Sequence, residues 1–304
     1  MTSQRADMTI LHDRIEKAEV SARSALGASA PWKEALVKGI ALAYDDTRDD
    51  TGRGDEIVCL HAIGHGARDF ERLRHRFGQG YRVVALDWPG HGNSGPDATA
   101  ASAERYLELL IDFMDAAGLR HPVIVGNSIG GAVAIRYAAE RPDRVRGLIL
   151  ENPGGLYRSD RVSRIAIAAM VRFFSAGARR AWWFPAAYRA YYRTVLPMRE
   201  AAEQRSRVTA AGLEMAPILA QAWRSFGEPA ADLRPLVSRI NCPVLFAWAK
   251  RDRIIQLKRC LPAIRRFPDA RLETFDAGHA AHLEAPDAFE RSVERFLEGL
   301  PQRA

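Results

Sequence analysis

Residues 122–131 read Pro-Val-Ile-Val-Gly-Asn-Ser-Ile-Gly-Gly, and they restrict the fold of this chain more than any other ten. The β-branched run before Gly126 reads as a buried strand, and the alanine-rich stretch after Ser128 reads as a helix. A turn from strand to helix within so few residues sets the serine on a strained bend, its Oγ raised above the sheet. Gly126 and Gly130 suit that bend, because a Cβ at either position would strike the adjoining strand or helix. The helix that follows aims backbone N–H groups and its positive dipole end at any anion formed beside the serine. The pentapeptide Gly-x-Ser-x-Gly alone is a weak signal. Its strand-before, helix-after setting is what makes Ser128 a candidate nucleophile.

Two partners follow in the order acid, then imidazole. Residues 242–248, Cys-Pro-Val-Leu-Phe-Ala-Trp, form a continuous apolar run that reads as a buried parallel strand, and Asp252 lies just past its end. Residues 271–276 alternate as a further strand and lead into Gly278-His279, so His279 also follows a strand end. Open α/β sheets bind ligands outside those ends. Acyl transfer needs such a set: His279 takes the Ser128 proton, and Asp252 fixes the tautomer and stabilises the imidazolium. The duller alternatives are a helix N-cap for Asp252, ahead of Arg253-Ile254-Ile255, and a structural loop histidine for His279.

Five runs carry a family resemblance. They are Leu60-His61-Ala62-Ile63-Gly64, Asp87-Trp88-Pro89-Gly90-His91-Gly92-Asn93-Ser94, Gly126-Asn127-Ser128-Ile129-Gly130-Gly131, the Asp252 strand end, and Gly278-His279-x-x-His282-Leu283-Glu284-x-Pro286. In that order the chain resembles the α/β-hydrolase superfamily, in its cap-bearing branch of serine hydrolases, from about residue 32 to 300. The resemblance implies that Ser128, Asp252 and His279 are a catalytic triad. It also implies an oxyanion hole from the backbone N–H groups of Ile63 and Ile129. One departure stands out: the family usually has His-Gly where this chain has His61-Ala62. A methyl group there is expected to disturb the loop carrying the Ile63 amide, and one oxyanion donor is worth ~3 kcal/mol of barrier. His61 and His91 read as loop braces, and the Asp87–Ser94 loop as a tight turn packed under the site. His65 reads as a residue at the mouth of the site, in reach of substrate. His282 is one helical turn from His279, but a third ligand at metal-site spacing is missing, so no metal is expected.

The rest of the chain fits an α/β class, a mostly parallel twisted sheet with helices on both faces. At 304 residues it can hold one large domain with an inserted subdomain. Strands are expected at about 34–38 and 40–45, as a hairpin about Gly39, then at 56–61, 81–87 and 147–151, with helices near 68–77 and 101–118. Asn152-Pro153-Gly154-Gly155 is a strong break. Residues 156–238 then lose the strand rhythm. Helical spacings recur instead at Ile167, Met170, Val171 and Phe174, at Tyr188, Tyr191, Tyr192 and Val195, and at Met215, Ile218, Leu219 and Ala222. We read 156–238 as an all-helical cap over the triad, inserted into a core of 31–155 and 239–304. Residues 1–30 read as a helical extension, with Leu11, Ile15, Ala18, Ala22 and Leu26 on a thin apolar face. That extension and the cap are both plausible homo-oligomer contacts. The aromatic run Trp182-Trp183-Phe184, with Phe173 and Phe174, reads as cap core, as pocket lining for a bulky substrate, or as an interfacial patch.

Charge and cysteine content exclude some classes. The net charge is +7, and only five of the 44 basic residues are Lys. Read over the whole chain, the arginines are scattered among many acids. No basic block or motif of the nucleic-acid-binding kind stands out. Three cysteines cannot make a full disulfide framework and read as reduced thiols, Cys59 and Cys242 in the core and Cys260 on a helix. The first residues show no apolar signal region, and no run is long enough to span a membrane, so a cytoplasmic protein without stable membrane insertion is expected.

A serine nucleophile sets aside the dehalogenase and epoxide-opening relatives, which attack with a carboxylate. Ester, thioester, lactone or amide hydrolysis and C–C cleavage of ring-fission products remain. Asn127 and the Gly130-Gly131 pair resemble the carbon–carbon hydrolases, but those have a Gly-Pro-Gly type loop and a Trp after the histidine, where this chain has Gly64-His65-Gly66 and Ala280. The expectation is therefore a carboxylesterase acting on a small apolar or aromatic ester, without metal or organic cofactor. C–C hydrolase and lactonase are the alternatives, and a hydrolase-fold ligand receptor is the non-enzymatic one.

Overall fold

The computed structural model describes residues 32–48 and 54–301; the expected helix within residues 1–30 lies outside them. The hairpin is set by two residues. Lys38 and Gly39 take φ of 48° and 80°, a two-residue turn whose twist matches paired strands. It joins β1 (Lys33–Val37) to β2 (Ile40–Asp46), with Val37 opposite Ile40. Strand and helix then alternate: β3 (Asp55–Leu60), α1 (Glu71–Phe77), β4 (Tyr81–Leu86), α2 (Ala103–Ala116), β5 (Val123–Asn127), α3 (Ile129–Glu140) and β6 (Gly147–Glu151). Four helices follow before the next strand: α4 (Arg161–Ala178), α5 (Phe184–Val195), α6 (Ala202–Ala210) and α7 (Gly212–Ser225). The chain returns through β7 (Val244–Ala249), α8 (Leu257–Ile264), β8 (Ala270–Phe275), α9 (Ala281–Glu284) and α10 (Pro286–Glu298).

The eight strands form one sheet in the order β1-β2-β4-β3-β5-β6-β7-β8. Pairing is antiparallel from β1 to β4 through β2 and parallel everywhere else. This is the expected α/β class. Every residue of β5, β6 and β7 is buried, as strands covered on both faces require. The strand order reverses between β3 and β5, so the loops leaving those two strands diverge and open a crevice.

Between β6 and β7 the described residues hold helices and no strand, and α4, α5 and α7 each turn an apolar stripe inward. Ile167 and Phe174 of α4, Tyr188 and Tyr192 of α5, and Leu219 and Ala222 of α7 are buried. The helix α6 carries little apolar periodicity, with only Val208 buried, and pattern reading passed it over. The aromatic run divides. Phe184 is fully buried against Phe174 and Tyr188, while Trp182 and Trp183 are exposed. Cys59 and Cys260 are buried and Cys242 only partly so; all three are free thiols.

Candidate active site

The turn after β5 is as tight as the sequence required. Ser128 has φ 55° and ψ −113°, a strained conformation for a residue with a side chain. Its backbone N–H donates to Glu151 O at 2.9 Å, which ties the turn to β6. A Cβ on Gly126 would come within 2.6 Å of Gly130 O, and one on Gly130 would fall on the Leu60 carbonyl of β3. The glycines are there because α3 packs backbone to backbone on its own strand and on β3.

His279 follows β8, and its Nδ1 lies 2.8 Å from Asp252 Oδ2. A carboxylate only accepts, so Nδ1 carries the proton and Nε2 is left as a base. Burial works against charging this ring. Together with the charges of Glu284 and Glu151, the Asp252 carboxylate outweighs burial by its charge and its hydrogen bond, and the imidazole is held above the ordinary histidine value. Asp252 also accepts from the N–H groups of Ile254 (2.7 Å) and Ile255 (3.0 Å) through Oδ1. The capping role and the histidine-orienting role therefore coexist, one on each oxygen.

Four further side chains fix this geometry, and the sequence reading gave none of them a role. Asn152, with φ 43°, donates from Nδ2 to Asp252 Oδ2 at 2.6 Å and accepts the Ala249 N–H at 2.9 Å. Asn127 donates to the main-chain oxygens of Glu151 (3.2 Å) and His279 (3.0 Å). The buried Glu284 accepts the N–H groups of Gly278 (2.7 Å), His279 (3.1 Å) and Met198 (3.0 Å), so one carboxylate holds both the histidine loop and the end of α5's connection. Glu151 Oε2 accepts both Nδ1 (2.9 Å) and the backbone N–H (3.0 Å) of His282. The His282 ring stacks on Phe70, with centroids 4.7 Å apart. A polar residue at or just past the end of a fully buried strand was the available signal for Asn127, Glu151 and Asn152.

Ile129 is the first residue of α3, so its N–H has no acceptor within the helix. Ile63 sits in a turn closed by the His65 N–H and Ala62 O, at 3.1 Å. Ala62 is buried there. The brace is histidine. His91 Nε2 accepts the Gly64 N–H at 3.0 Å, and His61 Nε2 accepts the Trp88 N–H at 2.9 Å. Both rings must be neutral at those nitrogens, and burial pushes His91 down to about 4 and His61 well below its usual value. Below them Asp87 accepts the N–H groups of Ala67 (2.8 Å) and Asn93 (3.0 Å). His65 pairs with Asp69, Nδ1 to Oδ2 at 2.5 Å.

Ser128, His279, Ile63, Ile129 and His65 all line one cavity of about 780 Å³, with Asp252 behind His279. Its walls come largely from the helical insert, including Ile167, Met170, Tyr191, Tyr192, Leu219 and Trp223. The aromatics facing the cavity are thus not the Trp182-Trp183 pair. Its volume lies in the range that takes a small organic molecule. Among the described residues no cluster of His, Cys, Asp and Glu is arranged to hold a metal ion.

Fold and site together define a protein with an α/β-hydrolase architecture and a serine at its strand-to-helix bend. The chain belongs to the alpha/beta hydrolase family, whose model matches residues 57–292, and it is a hydrolase. It is 29% identical over 266 residues to the 2-hydroxy-6-oxo-6-phenylhexa-2,4-dienoate hydrolase of Burkholderia cepacia, covering 82% of this chain and 90% of that protein. It is 28% identical over 275 residues to a 2-hydroxy-6-oxononadienedioate/2-hydroxy-6-oxononatrienedioate hydrolase of Dechloromonas aromatica, covering 82% and 89%. Among solved structures, the enol-lactonase of Burkholderia xenovorans shares the fold with a TM-score of 0.73 at 23% identity, covering 88% of this chain and all of that one. A bacterial membrane phospholipase A does so with a TM-score of 0.79 at 21% identity, covering 97% and 95%.

Proposed function

We propose that this chain is a serine hydrolase that cleaves carboxylic esters carrying an apolar or aromatic acyl group. The observation that carries the reading is the strained Ser128 sharing one apolar cavity with His279, whose Nδ1 is held by Asp252. In this mechanism Ser128 Oγ attacks the ester carbonyl while His279 Nε2 takes its proton. The N–H groups of Ile63 and Ile129 receive the oxyanion. His279 then protonates the departing alcohol, leaving an acyl-enzyme. Water, deprotonated by the same nitrogen, releases the acid. Residues 156–238 act as a cap that keeps water from the acyl pocket and sizes it.

C–C hydrolysis is the second reading, and the dienoate hydrolases at 28–29% identity favour it. The residues speak for the ester. A dienoate carries a carboxylate that needs a cation deep in the site. Of the arginines lining this cavity, Arg158, Arg164 and Arg253 are exposed, and the largely buried Arg136 is engaged by Glu104 and the Ala230 main-chain oxygen. The test is kcat/KM for a p-nitrophenyl ester beside that for a dienol-diketo acid, on the same preparation. The ester reading expects the first to exceed the second. A large excess of the second transfers the site to C–C cleavage, and tight binding of either without turnover transfers it to a receptor.

A further inference from the structure

The positive charge of this chain is concentrated in one place. Residues 156–199, which hold α4 and α5, contain nine arginines and a single acid, Asp160, a formal +8 where the whole chain is +7. All nine arginines are exposed. Among the described residues only Arg180 of the nine has an ion-pair partner, Glu214 at 3.9 Å. Charge left unpaired at this density repels itself, and it gains energy when an anionic surface approaches.

Apolar side chains stand among these arginines. Val162, Ile165, Ala169 and Arg172 recur at i, i+3, i+7 and i+10 along α4, and all four are exposed, so they share an outward face. Val162 and Ile165 are each 71% exposed, and Trp182, just past the helix, is 91% exposed. The opposite face is spent on the core through Ile167 and Phe174. At its N-terminal end the outward face meets the mouth of the active-site cavity, which Arg158, Val162 and Arg164 line.

We propose that the outward face of α4, with the turn carrying Trp182, docks this protein on an anionic lipid surface beside the mouth of its cavity. Charge complementarity selects this occupant. A second copy would bring the same +8 against it. A nucleic acid would satisfy the arginines but leave Val162, Ile165 and Trp182 in water, whereas the headgroup–acyl boundary takes both kinds of side chain. An arginine held near such a surface strengthens the partition about fivefold. The attachment is peripheral, since among the described residues no helix is long and apolar enough to cross a membrane.

The test uses the full-length Ser128→Ala protein, so that binding is read whether or not the ester reading holds. It is sedimented with vesicles of phosphatidylcholine alone and of equimolar phosphatidylcholine and phosphatidylglycerol. Binding is expected only to the anionic vesicles, and high salt is expected to weaken it. Arg161→Glu with Arg172→Glu should lower the partition at least about tenfold, and Ile165→Asp or Trp182→Ala should lower it again. In the Ser128 background the same substitutions should leave kcat/KM on a short water-soluble ester within about twofold, because these side chains lie outside the cavity wall. Failure of the ester reading would appear as no turnover in any variant, with vesicle binding intact. The proposal is overturned by absent binding, by equal binding to neutral vesicles, by binding that survives the charge reversal, or by tighter binding to a short DNA duplex in the same salt.

Discussion

His279 and its carboxylate decide how the site responds to pH. In the proposed mechanism His279 must be neutral to accept the Ser128 proton, and the carboxylates of Asp252, Glu284 and Glu151 hold its pKa above the ordinary 6.5. Turnover is therefore full at higher pH and falls as pH drops through that raised value. We expect the acid limb of kcat/KM to have its midpoint above 6.5, and a midpoint well below it would remove His279 from the role of base. Asp252→Asn should cost about 10⁴ in kcat, because the amide favours the wrong imidazole tautomer. Asn152→Ala leaves Asp252 Oδ2 one donor short and should cost roughly tenfold in kcat while the protein stays folded, since a hydrogen bond to a charged group is worth about 1.5–3 kcal/mol. Steady-state kinetics on the three proteins separates these effects. The placement of Ser128, Asp252 and His279 just past strand ends was readable in the sequence, from the apolar runs of β5 and β7 and the alternation of β8. Asn152 and Glu284 were not, since their roles depend on loops that are distant in sequence and meet only in the fold.

Among the elements, the bend from β5 into α3 carries the strain. The approach of α3 to β3 leaves no room for a side chain at position 130. Gly130→Ala should lower stability by at least about 1–3 kcal/mol and reduce turnover with it, because Ser128 and the Ile129 N–H ride on the same turn. A thermal melt beside the activity assay measures both, and an unchanged melting temperature would contradict the packing described here. Strand positions were readable to within two residues, since buried runs such as Val244–Ala249 have no other use for so many apolar side chains. The helix α6 was not readable, because its exposed face dominates its composition. The division of Trp182-Trp183-Phe184 into exposed and buried members was also beyond periodicity, which gives the spacing of a stripe but not what covers it.

At the scale of the whole molecule, one sheet edge gathers the chemistry and one helical insert shapes the space above it. The reversal of strand order between β3 and β5 brings the Ile63 loop and the Ser128 bend together. The concentration of charge was present in the sequence too, but counting over all 304 residues dilutes it; only the fold marks all nine arginines of residues 156–199 as exposed. Cavity size is the property sequence could not supply, because it depends on how Tyr192, Leu219 and Trp223 come to rest over the serine. The most direct measurement is the hydrolysis of p-nitrophenyl esters of rising acyl length by the wild type and by Ser128→Ala. The account predicts turnover that depends on Ser128, with a preferred acyl length set by the cavity of about 780 Å³. Turnover that survives in the Ser128→Ala protein, or none along the series from folded wild type, would contradict it.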